Sequence, residues 1–226
     1  MKIFLTAVFC LGVLLANAQD ADALIKKVKA KIDLVNNYEA AGTMKTNVTF
    51  LKVPEAQVKI YFKKPNQLRI KNEKGISFVP KGAVSINLTS IVSGNQYTAI
   101  DAGYDNVGAV KTKVIKLLPT DDNADVVLST LYIDETNLVI LKAKTTTRLN
   151  GSYQLDMAYG KYTAYGLPDK LTFTFNTKDY KLPKGVTFDF DDGTNNKPAE
   201  KNKTGKAEIT FSSYIINKGV ADSVFQ

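Results

Sequence analysis

The sequence predicts a mainly β protein of the α+β class, one amphipathic helix followed by a long antiparallel sheet. Three observations carry this. Apolar residues recur at helical spacing near the start, and from Tyr38 onward they alternate at period two. Clusters of Pro, Gly, Asn and Asp then break the alternation at short intervals, as turns between strands do. The 226 residues suffice for one β domain of the larger kind.

The chain opens with an export signal, MKIFLTAVFCLGVLLANAQ. Lys2 supplies the positive end, Ile3 to Leu15 the apolar run, and Ala16-Asn17-Ala18 a small-x-small cleavage site. The run is short for a bilayer span, and no second one follows to stop transfer. Residues 1–18 are therefore expected to leave as a signal peptide, and residues 19–226 to form a single exported domain. The one cysteine, Cys10, leaves with the signal. Phe9 stands where a lipidation signal needs a small residue, so neither a lipid anchor nor a disulfide is expected.

The helix is expected over Asp20 to Asn37. Leu24, Ile25, Val28, Ile32 and Val35 share one face, Asp20 or Asp22 can cap the start, and the opposite face is rich in lysine. The strands follow in order. Val58, Ile60 and Phe62 alternate with Gln57, Lys59 and Tyr61, and Leu68 and Ile70 alternate with Arg69 and Lys71. Leu131 and Ile133 obey the same rule, as do Tyr153, Leu155, Met157 and Tyr159, then Leu171, Phe173 and Phe175. Val186, Phe188 and Phe190 come next, and Ile209 and Phe211 close the series. Turns fall at Val53-Pro54, Lys64-Pro65-Asn66, Gly166-Leu167-Pro168 and Leu182-Pro183. Asn150-Gly151 carries the signal of a two-residue type I′ hairpin. The expected result is a meander, with short helical pieces near Val84 to Val92 and at the tail. Asp191 to Lys206 reads as a polar loop between the last two strands.

Composition removes much of enzymology. There is no histidine, so neither a Ser-His-Asp triad nor the usual zinc ligands can be assembled. The acidic DFDDGTNN stretch fails the calcium-loop spacing, because placing Gly193 sixth puts Phe188 first and Phe190 third. Asp189, Asp191 and Asp192 remain as a carboxylate cluster without an accompanying motif. No cofactor, metal or catalytic residue is expected. The net charge of +8 is spread along the chain. It fits either solubility or attraction to an anionic surface, and no nucleic-acid motif accompanies it.

A sheet with one apolar face must cover it. An eighteen-residue helix is roughly 27 Å long, too little for some ten strands spaced ~4.8 Å apart. The sheet must curl until its faces meet, or leave an apolar concavity for a ligand. The candidates for that core or cavity are Phe50, Val58, Ile60, Phe62, Leu68, Ile70, Phe78, Leu131, Ile133, Leu155, Met157, Phe173, Phe175, Phe188, Ile209 and Phe211.

The segment YFKKPNQLRI, Tyr61 to Ile70, resembles the strand, Lys-Pro turn and strand of periplasmic lipoprotein carriers of the LolA type. Ser129 to Arg148 and Lys206 to Phe225 resemble that superfamily's later hairpin and its closing strand and tail. The leader and the lysine-rich surface look like those of a Bacteroidetes member. The resemblance implies a strongly curved antiparallel sheet forming an unclosed β-barrel, lidded by the N-terminal helix and short helices around an apolar cavity. It implies acylated lipoproteins or lipids as ligands, with inner-membrane lipoprotein-release machinery and an outer-membrane receptor as partners of a monomeric carrier. Arg69 matches the arginine of the family's hairpin, which makes it a candidate polar contact. Ile70 stands where the better-known carriers have an aromatic. That departure leaves open a relative that binds another lipid or senses envelope stress.

Overall fold

The computed structural model describes residues 20–48, 51–52, 55–74, 97–148, 151–176 and 204–226. The expected signal peptide, Phe50, Phe78, Phe188, the Val84 to Val92 stretch and the Asp189, Asp191 and Asp192 cluster lie outside them. Helix α1 covers residues 20–32 and turns Ala21, Ile25 and Val28 inward, each 1% exposed or less. It ends earlier than the apolar periodicity predicts. The main-chain N–H groups of Leu34 and Val35 bond to residues only three back, Lys31 and Ile32, which tightens and stops the helix. Asn217 then takes over: its side chain donates to Leu34 O at 2.8 Å and accepts from Asn36 N at 2.7 Å.

The strands are β1 (Asn37–Val48), β2 (Leu51–Lys52), β3 (Ala56–Lys63), β4 (Gln67–Lys74), β5 (Tyr97–Val107) and β6 (Val110–Pro119). They continue as β7 (Val126–Asp134), β8 (Val139–Thr147), β9 (Ser152–Ala158), β10 (Lys170–Asn176) and β11 (Thr204–Ile216). Short 3-10 turns occupy Thr163–Tyr165 and Asp222–Val224. All strand pairs are antiparallel, in the order β4-β3-β1-β11-β10-β9-β8-β7-β6-β5, with β2 beside β1. This differs from a simple meander. The last strand inserts between β1 and β10, so the beginning and the end of the described sheet are zipped together at its centre. Among the described residues β4 and β5 do not pair, and the sheet stays unclosed.

The register lines up the buried face. Thr46, Ala207, Phe173, Leu155, Ala143, Leu131 and Ile115 stand opposite one another across seven strands, and Asp101 ends the row on β5. Asp101 is not left as a lone charge on that face. Its carboxylate accepts from Lys113 at 2.6 Å, and the two side chains are 13% and 14% exposed.

Asn150 of the expected hairpin turn lies outside the described residues; beside it, the Thr147 N–H and hydroxyl both donate to Gly151 O at 2.9 Å. Arg148 is drawn across to the β6–β7 loop, where it donates to Asp122 O and Ala124 O. Strand β11 starts at Thr204, inside the stretch expected to be loop.

The core divides into two clusters. One sits beneath α1, where Ile25 and Val28 meet Ile115, Leu131, Ile133, Ile140, Leu155, Met157, Phe173 and Phe175. The other lies beyond the end of the helix and joins Val35, Ala40, Met44, Val58, Ile60, Phe62, Leu167 and Tyr214.

Candidate functional site

An apolar cavity of about 90 Å³ opens in the second cluster. Ile60, Phe62, Leu68 and Ile70 wall it from β3 and β4; Ile209, Phe211 and Tyr214 from β11; Leu171 and Leu155 from β10 and β9. Tyr38 comes from β1, Ile32 and Val35 from the helix end, and Tyr165 to Pro168 form the roof. Residues of β4 and β9 thus share one cavity although four strands separate them in the sheet order. In a flat sheet they would stand about 24 Å apart, so the sheet curls here.

Curling alone does not explain why both Phe211 and Tyr214 face inward, since residues three apart on a strand point to opposite sides. A bulge does. The pairing of β11 with β1 shifts between Ala41 and Gly42, leaving Ser212 without a cross-strand partner. Its hydroxyl donates to Ala41 O at 3.1 Å. Gly42 permits the close approach, because a Cβ there would lie 2.6 Å from Thr210 O. The reset turns Tyr214 inward and leaves Ile215 54% exposed.

Tyr214 is the hub of the wall. Its ring packs against Tyr162, Phe211 and Tyr38 with centroids 4.8, 5.0 and 5.4 Å away, and Tyr38 packs on Phe62 at 5.3 Å. The Tyr214 hydroxyl donates to Pro168 O at 2.8 Å, and its N–H donates to the Tyr162 hydroxyl at 3.3 Å. The roof is fastened further by Phe211 N–H to Asp169 O at 2.8 Å and Lys161 N–H to the Asp169 carboxylate at 3.1 Å. Burial pushes the Tyr38 and Tyr214 hydroxyls above the usual phenol range, so both stay protonated.

At the helix end a polar clasp flanks the cavity. Asp33 accepts from Lys29 at 2.7 Å and pairs with Lys64 of the β3–β4 turn at 3.2 Å. Burial alone would push its carboxyl up, but these two lysines outweigh it and hold the carboxyl below the ordinary value.

Of the predicted candidates, the structure gathers Ile60, Phe62, Leu68, Ile70, Leu155, Ile209 and Phe211 around the cavity. Leu131, Ile133, Met157, Phe173 and Phe175 are packed beneath the helix instead, and Val58 is buried in the second cluster outside the lining. Arg69 is exposed on the opposite face of β4 from Leu68 and Ile70. It does not line the cavity; it donates to the main-chain oxygens of Gln226 at 2.8 Å and Phe225 at 3.4 Å. The tyrosines and the roof were not among the candidates, because the Ser212 bulge interrupts the alternation that would reveal Tyr214. Among the described residues no group of acidic or cysteine side chains is suited to a metal ion, and no helix is long and apolar enough to cross a membrane.

A curled, unclosed antiparallel sheet covered by an N-terminal helix is a fold this chain shares with solved structures that include a LolA superfamily protein. Solved structures share it over nearly their whole length. An outer membrane lipoprotein-sorting protein domain from Vibrio parahaemolyticus superposes with a TM-score of 0.59 at 12% identity, over 93% of this chain and 97% of that one. A LolA superfamily protein from Nitrosomonas europaea gives 0.58 at 9% identity, over 91% and 97%. A DUF1329 family protein from Desulfovibrio piger gives 0.55 at 12% identity, also over 91% and 97%. No protein-family model and no curated protein matches the sequence.

Proposed function

We propose that this protein is an exported, non-enzymatic carrier that takes the acyl chains of lipoproteins or lipids into the cavity and conveys them across the envelope toward the outer membrane. One observation carries the reading: the cavity is walled by sixteen residues, none of them charged, inside the LolA-type fold. The export signal and the lipoprotein-sorting name of a structural neighbour support it.

The physics of carriage is simple. Each methylene moved from water into such a cavity gains ~0.8 kcal/mol, so an acyl chain is held without any specific polar contact along its length. About 90 Å³ is far below the roughly 300–1,000 Å³ of pockets that engulf a drug-sized ligand. Loading therefore requires the roof, Tyr165 to Pro168, to move away from the helix end. That requirement serves transport, since a carrier must release its cargo to an acceptor with a competing affinity. Inner-membrane release machinery and an outer-membrane receptor are the partners the reading requires.

Native mass spectrometry of the mature protein, purified gently from its own envelope, tests it. Co-purifying lipoprotein or lipid, lost when Phe62 becomes Glu, is the expected result. A clean apo mass under conditions that keep a control carrier loaded would point instead to a structural or sensor role on the same fold.

A further inference from the structure

The tyrosines lining the cavity do not share one hydrogen-bonding state. Tyr214 donates to Pro168 O, and Tyr165 is 43% exposed and open to water. Tyr38 differs from both. It is partly buried, its ring is held between Phe62 and Tyr214, and its hydroxyl has no hydrogen-bond partner among the described residues. A phenol hydroxyl that no protein group engages keeps its donor for a molecule in the cavity that its ring lines. A phenylalanine would fill the same aromatic stack without offering that donor.

The rest of the lining limits what the Tyr38 hydroxyl can meet. No cation or anion projects from it. Lys64, on the neighbouring turn, is committed to Asp33 O at 2.7 Å and to the Asp33 carboxylate. An ionised carboxylate brought into this cavity would lose its hydration and find no counter-charge. A neutral carbonyl has no such penalty and needs one donor. Building on the carrier reading above, we propose that the ligand enters with an uncharged acyl carbonyl, an ester or an amide, which accepts a hydrogen bond from the Tyr38 hydroxyl. The methylenes beyond that carbonyl then run along Phe62, Ile60 and Phe211. Tyr38 would select acylated molecules over free fatty acids and over bare hydrocarbon, and would fix which end of the chain lies at the helix end.

Calorimetric titration of the wild-type protein with three probes tests this: monopalmitoylglycerol, its ether analogue hexadecylglycerol, and palmitate at about pH 8, where it is ionised. The ester is expected to bind about two- to tenfold more tightly than the ether, the worth of one net hydrogen bond. Palmitate is expected to bind more weakly than the ester. Tyr38→Phe should erase the ester-over-ether preference. Equal binding of ester and ether by the wild type, or a preference that survives in Tyr38→Phe, overturns the proposal while the carrier reading stands. Failure of the wild type to bind any of the three overturns the carrier reading itself. Should Tyr38→Phe not fold, the wild-type comparison decides alone.

Discussion

The hydroxyl of Tyr214 donates to the main-chain oxygen of Pro168 across 46 residues of sequence, and this buried 2.8 Å bond fastens the roof of the cavity to its central strand. Tyr214→Phe keeps the aromatic packing and leaves the Pro168 carbonyl unpaired. We expect a loss of about 1–3 kcal/mol in urea unfolding and faster exchange of a bound fluorescent lipid, because the same bond restrains the roof.

The two core clusters separate binding from folding. Phe62 lines the cavity and Leu131 does not. Phe62→Glu places an unpaired charge where an acyl chain would lie, and should weaken lipid binding by about two orders of magnitude. The first cluster is expected to survive, as judged by protection of its amides from hydrogen exchange. Leu131→Ala removes a fully buried side chain and should cost about 2–5 kcal/mol with little change in affinity. Phe173, which the sequence makes an equal cavity candidate, belongs with Leu131, so Phe173→Glu should unfold the protein rather than empty it.

Asn217 holds the joint between the helix and β1. It adopts φ 57°, donates to Leu34 O and accepts from Asn36 N. Asn217→Ala removes these bonds and puts in the left-handed region a residue that tolerates it less well than asparagine, for an expected loss of about 2–3 kcal/mol. Asn217→Gly relieves the backbone and should lose less. Hydrogen exchange at residues 34–37 should accelerate in both.

Acid and base are expected to act through different groups. Burial alone would push Asp33 and Asp101 up, but bonds from Lys29 and Lys64 to the first, and from Lys113 and the Gly103 N–H to the second, hold both below the ordinary value. A carboxyl lowered on folding contributes stability above its unfolded value, about 3.9, and loses it as pH falls through its folded value. Stability should therefore fall below about pH 4, and Asp101→Asn should remove part of that slope. Lys113, raised by Asp101 against its own burial, contributes stability below about pH 10.4 that is lost as pH rises through its folded value. Tyr38 and Tyr214, raised by burial, add to the alkaline loss. Urea midpoints across pH check both limbs.

Much of this was legible in the residues. Alternation at Val58 to Phe62 and Leu171 to Phe175 fixed which faces are buried, and helical spacing at Ile25 and Val28 fixed the lid. The order of strands was not legible, because nothing local says that β11 inserts between β1 and β10. Nor was the division of the apolar face. Phe62 and Phe173 have the same chemistry and periodicity, and only the placement of α1 decides that one borders a cavity and the other is core. Tyr214 was hidden by the bulge at Ser212, with Gly42 as its one local trace. Arg69 matched a family position, yet strand alternation already set it opposite Leu68 and Ile70, on the face where it meets the tail.

The most direct test is photo-crosslinking in the native envelope, with a photoreactive residue at Phe211 in the cavity and, separately, at Lys144 on the opposite face. Acylated lipoprotein or lipid captured from position 211 and absent from position 144 is the expected result. A folded protein that captures nothing at 211, or captures equally at both positions, would contradict a carrier that holds acyl chains in this cavity.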